Sequence, residues 1–219
     1  VIAELKKKKN VKILDNVNLH SLSFATDFIK STLNKLNIKS KILIAADGKN
    51  SHVRSIVKTP IYFKKYNHDA MVINLNHSKD HKNIAHEIFL NTGPLAILPM
   101  KNKEKNIFSS TVIWSNNSKY VSSFSKINRD FMRSLMDEKI SKYVGKVQKI
   151  IDIQTFNLSA HLNDKFYNDR LVYVGDSAHS IHPIAGRGWN LGIRDIQNLH
   201  SAIKKGLDLG LDIGNDFIC

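Results

Sequence analysis

Residues Arg170 to Asp195 read RLVYVGDSAHSIHPIAGRGWNLGIRD. An apolar run, Leu171 to Val174, meets Gly175 and Asp176. A loop holding Pro183, Gly186 and Gly188 follows, and a helix-like pattern begins near Trp189. Four of the ten glycines fall between positions 175 and 192. Glycine costs backbone entropy and offers no side chain to pack. Such crowding therefore predicts a main chain that turns sharply or lies directly against something bulky, read here as a cofactor.

The helix is legible from spacing. Leu191 can pack near its start, and Ile196, Leu199 and Ile203 follow Gly192 at offsets of four, seven and eleven, which fits one helical face and not an alternating strand. Its amino end, around Gly188 to Gly192, presents unpaired N–H groups and the positive end of the helix dipole toward the Asp176 loop. An electron-rich ligand atom is stabilised in such a place.

These residues resemble the second flavin-binding motif, the GD motif, of the FAD-dependent aromatic-ring hydroxylases with the para-hydroxybenzoate hydroxylase fold. HPIAG followed by GWNLGIRD is most similar to the ubiquinone-biosynthesis hydroxylases, whose usual pattern is GDAAHxxxPxxGQGxNLGxxD. Two further stretches agree. Lys41 to Arg54, KILIAADGKNSHVR, resembles the family's DG motif, and His86 to Pro99, HEIFLNTGPLAILP, resembles a stretch on its substrate-facing side. All three occur in the family's order.

The resemblance implies roles residue by residue. Asp176 would accept hydrogen bonds from the ribitol hydroxyls of FAD, and Gly175 would permit the close approach. Pro183, Gly186 and Gly188 would shape the loop beside the isoalloxazine ring, while Asn190, Leu191 and Gly192 would offer main-chain groups to its pyrimidine edge. Asp47 and Gly48, with Arg54 close behind, would lie near the FAD diphosphate and the route of NAD(P)H. Arg187 stands where the family usually has glutamine. Pointing inward, its charge would favour the anionic reduced flavin and raise the midpoint potential; pointing to solvent or a carboxylate, it would not. An Arg187→Gln variant of unchanged potential excludes the electrostatic role.

The implied reaction is monooxygenation: NAD(P)H reduces FAD, the reduced flavin takes up O2, and one oxygen atom passes to an electron-rich aromatic ring, here a polyprenylated phenol. The cofactor supplies the hard chemistry, and the protein orients the ring and excludes water. No protein acid or base is assigned. The stretch from Gly93 to Pro99 is expected to line the substrate pocket.

Composition bounds the alternatives. With 42% hydrophobic and 24% charged residues the chain is that of an ordinary globular protein. No apolar run approaches the roughly 20 residues that span a bilayer, and no signal-peptide pattern opens the chain, so a cytoplasmic setting is expected. The single cysteine, Cys219, excludes an intrachain disulfide and a cysteine-rich metal site. The net charge of +14 comes from 33 basic residues spread along the chain, without zinc-finger spacing or an RNP-type motif, so no nucleic-acid partner is expected. A basic face could instead hold the enzyme against anionic lipid of the inner membrane or within a quinone-biosynthesis complex.

The expected fold class is α/β. Residues 1–57, with the DG motif, and 160–219, with the GD motif and its helix, form parts of a Rossmann-like FAD-binding domain, interrupted by a mixed β-sheet substrate domain at 58–159. Within the latter, Met71, Ile73 and Leu75 alternate with polar positions, Ile107 to Trp114 is β-rich, Ile151, Ile153, Phe156 and Leu158 suggest another strand, and Arg129 to Val144 suggests a helix facing inward through Phe131, Leu135, Ile140 and Val144. Leu5 and its lysines read as a helix end and Val11 to Ile13 as a strand. Both ends look cut. The GxGxxG unit that cradles a dinucleotide diphosphate is missing, and is expected upstream in an incomplete nucleotide-binding domain.

Rival chemistries are weaker. Gly175-Asp176-Ser177 superficially resembles a GDS-type esterase, but Asp176 would have to serve two catalytic blocks at once. Asp176, His179 and His182 lack a recognised metal-ligand spacing. Trp114 and Trp189 read as packing residues, with Trp189 close enough to the flavin loop to act as a platform. Another flavoprotein of the fold, a reductase or halogenase, stays open, although no WxWxIP segment is present. So does a non-catalytic basic module on a flavoprotein scaffold.

Overall fold

A computed structural model describes residues 1–34, 36–101, 107–124, 127–181 and 187–214. In chain order the elements are α1 (Ile2–Lys6), β1 (Leu19–Phe24), β2 (Ile29–Leu33), β3 (Leu36–Ser40), β4 (Leu43–Ala45), α2 (His52–Val57), β5 (Ile61–His77), β6 (His86–Leu90), β7 (Gly93–Met100), β8 (Phe108–Asn117), α3 (Ser118–Phe124), α4 (Arg129–Val144), β9 (Val147–Asn163), β10 (Tyr167–Asn168), β11 (Leu171–Tyr173), a 3-10 turn (Gly175–Ser177), β12 (His179–Ser180) and α5 (Arg187–Asp208). They form two compact units, one of Val1–Tyr62, His161–Ser180 and Gly188–Cys219, the other of Phe63–Ala160 with Ile181–Arg187.

The first unit is organised by two short strands far apart in sequence. β4 and β11 pair in parallel, Leu43 beside Leu171 and Ala45 beside Tyr173, and β10 closes the other side of β11 in antiparallel register. Parallel strands of an α/β sheet are apolar because both faces are covered; here Ala45, Leu171 and Tyr173 pack with Val53 of α2 and Ala178. β1, β2 and β3 form an antiparallel meander that the sequence reading had not resolved. Arg170, fully buried at a left-handed φ of 56°, donates to the carbonyls of Thr26 and Lys41 and pairs with Asp212. A buried guanidinium has to be matched in this way, and these bonds tie the meander, the start of β4 and the stretch beyond α5 to β11.

In the second unit β9, β5, β8, β7 and β6 lie side by side. The expected alternation holds. Met71, Ile73 and Leu75 of β5, Leu95 and Ile97 of β7, and Val112 and Trp114 of β8 share one face, buried beneath Val121 and Phe124 of α3 and Met132, Met136, Ile140 and Val144 of α4. Each such side chain contributes on the order of 1.5–3 kcal/mol on burial. α4 starts where Asn128 accepts the N–H of Asp130 at 2.9 Å and ends at Gly145, whose φ of 72° suits glycine. Gly93 is required for another reason: a Cβ there would fall 2.1 Å from the Ser115 carbonyl oxygen.

Several expectations are corrected. Val11 to Ile13 is irregular, not a strand. α4 spans the expected residues, but Phe131 is exposed, because the inward face runs through Met132 and Met136 at helical spacing with Ile140 and Val144. The strand expected from Ile151, Ile153, Phe156 and Leu158 is present within β9, with Leu158 buried and Ile151 and Phe156 exposed. Trp114 is a core residue as read; Trp189, read as a packing residue, is 76% exposed.

Candidate functional site

The registered strands deliver both glycine motifs to one place. β4 leads into Asp47 and Gly48, β11 into Gly175 and Asp176, and the strands end level with one another. Loops beyond the carboxyl ends of parallel strands are where ligands of open α/β sheets are held. Gly48 adopts φ 81° and Gly175 φ 60°, conformations that glycine reaches without penalty.

Asp47 faces its own loop. Its Oδ2 accepts the N–H of Val53 at 3.0 Å, and Ser51 Oγ accepts the N–H of Arg54 at 3.0 Å, so the two side chains cap α2. Burial alone would raise the Asp47 pKa, but bonds from the Ser51 hydroxyl and the N–H groups of Val53 and His52 outweigh it and hold the carboxyl below its usual range. Arg54 joins the two motifs. Its Nη2 donates to Lys49 O at 2.5 Å, and its Nη1 donates to Ser177 O and to His161 Nε2, both at 3.0 Å. His161 must accept from a cation, and its burial, with the charges of Arg54 and Lys49, pushes its pKa down. Each guanidinium nitrogen of Arg54 that bonds does so to the protein itself.

The GD turn is held from two sides. Below it, buried Ser177 shares its hydroxyl between Ala45 O at 2.5 Å and Val174 O at 2.8 Å, and accepts from Val174 N at 3.2 Å. Ser177 is thus locked into the β4–β11 layer, and among the described residues its hydroxyl bonds only backbone groups and no base, which counts against the esterase reading. On the other side lies α5. A Cβ at Gly192 would meet Gly175 Cα at 3.3 Å, so turn and helix touch backbone to backbone. The close approach foreseen from the glycine crowding is made here between two parts of the chain. Asp195 Oδ2 accepts the N–H of Gly175 and bonds His179 Nε2, each at 2.8 Å. His179 is therefore engaged by a carboxylate, and among the described residues no group of three His, Cys, Asp or Glu side chains is placed to hold a metal ion; His182 lies outside the described residues.

Asp176 is left exposed at the crest of this turn, and among the described residues nothing hydrogen-bonds its carboxylate. Asn190 is exposed and stands among the first four residues of α5, whose backbone N–H groups have no intrahelical partner; half-buried Leu191 and Gly192 come after them, and their N–H groups fall within the helical ladder, contrary to the expectation that they face a ligand. Gly188 has open space around it, so packing does not demand glycine there. Pro183 and Gly186 lie outside the described residues, as does the side chain of Arg187. The inward face of α5 runs through Gly192, Asp195, Leu199, Ala202 and Gly206, so Ile196, expected inside, is 54% exposed. The reason is the turn: glycine and aspartate are what it accepts. A cleft of about 270 Å³ lies between α5 and β10–β11, lined by Phe166, Val174, His179, Asp195 and Leu199 among others.

Asp195 and His179 were not picked out as site residues from sequence, and neither was His161. For the first two a signal existed, since both stand at fixed places in the quoted pattern; for His161, at the far end of a long strand, there was none.

Comparison with known proteins places this geometry. Residues 14–208 match the family described as FAD binding domain. The chain is 27% identical over 215 residues to the ubiquinone hydroxylase UbiL of Rhodospirillum rubrum, covering 98% of this chain and 49% of that protein. It is 27% identical over 162 residues to the 3-demethoxyubiquinol 3-hydroxylase of Escherichia coli, covering 74% and 40% respectively. The chain thus spans half or less of the length of these relatives. Among solved structures, CmlS, a flavin-dependent halogenase, superposes with a TM-score of 0.76 at 15% identity over 95% of this chain and 39% of that one, a likeness of fold.

Proposed function

Because this chain belongs to the FAD binding domain family, we propose that the protein is a flavin-dependent monooxygenase that hydroxylates an aromatic ring, a polyprenylated phenol of ubiquinone biosynthesis, using NAD(P)H and O2. One observation carries the reading: two glycine turns leave adjacent parallel strands together, and the Asp176 carboxylate between them and α5 has no hydrogen-bond partner among the described residues. The residues fit the cofactor. Asp176 is free to accept from ribitol hydroxyls, and the first turn of α5, with Gly188 and Asn190, offers N–H groups to an electron-rich ring edge, Leu191 and Gly192 following directly behind. When bound, FAD supplies the redox chemistry of oxygen transfer.

The protein's own part is to hold and to shield. Ser177 and Arg54 fix the two turns against each other, and neither is free to move a proton. In this reading Arg54, bonded to the protein, and Asp47, which is exposed and caps α2, set the shape of the DG loop and hold Gly48 near the diphosphate. The region near 58–159 serves as the substrate domain. Its Pro94, Ala96 and Leu98, on the face of β7 opposite the helices, give an aromatic substrate an apolar wall.

The proposed setting is cytoplasmic, with the basic surface resting on anionic lipid of the inner membrane or on a quinone-biosynthesis assembly. No described helix is long and apolar enough to cross a membrane, whereas each Lys or Arg close to an anionic surface adds on the order of 1 kcal/mol. Vesicle binding that grows with anionic lipid and fades with salt is expected.

The deciding experiment is purification of the whole protein. It should be yellow, oxidise NAD(P)H, consume O2, and restore quinone synthesis in a deficient strain, whereas Asp176→Ala should lose flavin. A colourless product that ignores NAD(P)H would refute the reading.

A further inference from the structure

We propose that Asp195, together with His179, is a positioning residue that sets the turn carrying Asp176 and thereby governs how the flavin is held. The inference rests on the flavin reading above. It begins from an inversion in α5: Ile193 and Ile196 point outward, while the acid between them turns in. An aspartate on a helix ordinarily faces water, so its inward position needs partners, and it has two.

Both partners bond the same oxygen. Asp195 Oδ2 takes the N–H of Gly175 and the Nε2 of His179, each at 2.8 Å. Gly175 directly precedes Asp176 and His179 follows it by three residues, so one anionic atom grips both ends of the turn. Bonds to an ionised acceptor are among the stronger ones a protein makes. One helical turn earlier, Gly192 brings the α5 backbone against Gly175, and from beneath, Ser177 is bonded to Ala45 O. Held on all three sides, the turn leaves the Asp176 side chain exposed and without a hydrogen bond among the described residues. Asp195 touches no ligand in this scheme. It acts on the flavin only through the place it gives to Asp176.

The test uses the whole protein as wild type, Asp195→Ala, Asp195→Asn and His179→Ala. Asparagine retains an oxygen that can take both bonds; alanine removes it. FAD dissociation constants are read from flavin fluorescence, with the visible spectrum of bound flavin and the urea midpoint of the FAD-free protein measured alongside. Asp195→Ala is expected to weaken FAD binding about ten-fold or more, the scale of one lost charge-assisted bond, and to alter the flavin band. His179→Ala should do the same to a smaller extent, and Asp195→Asn should recover most of the affinity. If Asp195→Ala does not fold, His179→Ala decides. Wild-type affinity and spectrum in both alanine variants would overturn the inference while leaving the flavin reading intact. A wild-type protein that binds no FAD would overturn both.

Discussion

At the scale of single residues, the buried hydroxyl of Ser177 does more for the turn than the motif's glycines suggest, since it satisfies groups on β4 and on the turn itself. Ser177→Ala should cost about 1–3 kcal/mol, the usual penalty for leaving buried polar groups unmatched, read as a lower urea midpoint. Titration offers a second check. His77, fully buried against Ser110 Oγ and Lys79 O, has its pKa lowered by burial, and His161 is shifted the same way. As pH falls below the ordinary histidine value of 6.5, the unfolded chain takes up protons that the folded one refuses, so stability falls until the depressed folded pKa values are passed. Denaturation midpoints measured at steps between pH 7.5 and 5 should decline. His77→Asn should flatten that slope; a slope unchanged in this variant would show that His77 is not its source.

At the scale of elements, the contact between α5 and the GD turn depends on the absence of side chains. Gly192→Ala places a methyl group against the Gly175 backbone, which cannot rotate away, and should cost about 1–3 kcal/mol as an overpacked site, whereas Gly188→Ala, with open space around it, should be neutral or slightly stabilising. Thermal melts of the two variants compare these positions directly. The same element marks what could be read from sequence. A strand, a glycine turn and a helix follow from apolar runs and spacing alone, and so do the long strands and α4 of the second unit. Which face of α5 lies inward does not, because hydrophobic periodicity assumes that apolar residues face in, and here an aspartate displaces Ile196. The meander escaped for a related reason: in β1 only Leu19 and Leu22 are even half-buried, at a spacing that no strand alternation produces. The Asp47 cap was hidden too, since an aspartate that caps a helix and one that binds a ligand look alike in a motif.

At the scale of the whole molecule, the buried Arg170 links three separated stretches of the first unit. Removing it takes the side-chain donor from Thr26 O and Lys41 O and leaves Asp212, which is exposed, with the Gly214 N–H. Arg170→Met should therefore destabilise the protein by about 1.5–3 kcal/mol, the scale of hydrogen bonds made by a charged group. Urea unfolding followed by circular dichroism checks the size.

The pairing of Leu43 with Leu171 also dictates an order of events during synthesis. The amino-terminal strand of that parallel pair leaves the ribosome long before its neighbour exists, and closing so large a loop is slow. Phe63–Ala160, whose strands find their partners within their own span, can consolidate first and bring the two ends of its flanking chain closer. Until the second strand emerges, Leu43 and Ile44 are an open template for mispairing, and nascent-chain proteolysis should find the early segment cleavable up to that moment and protected after it.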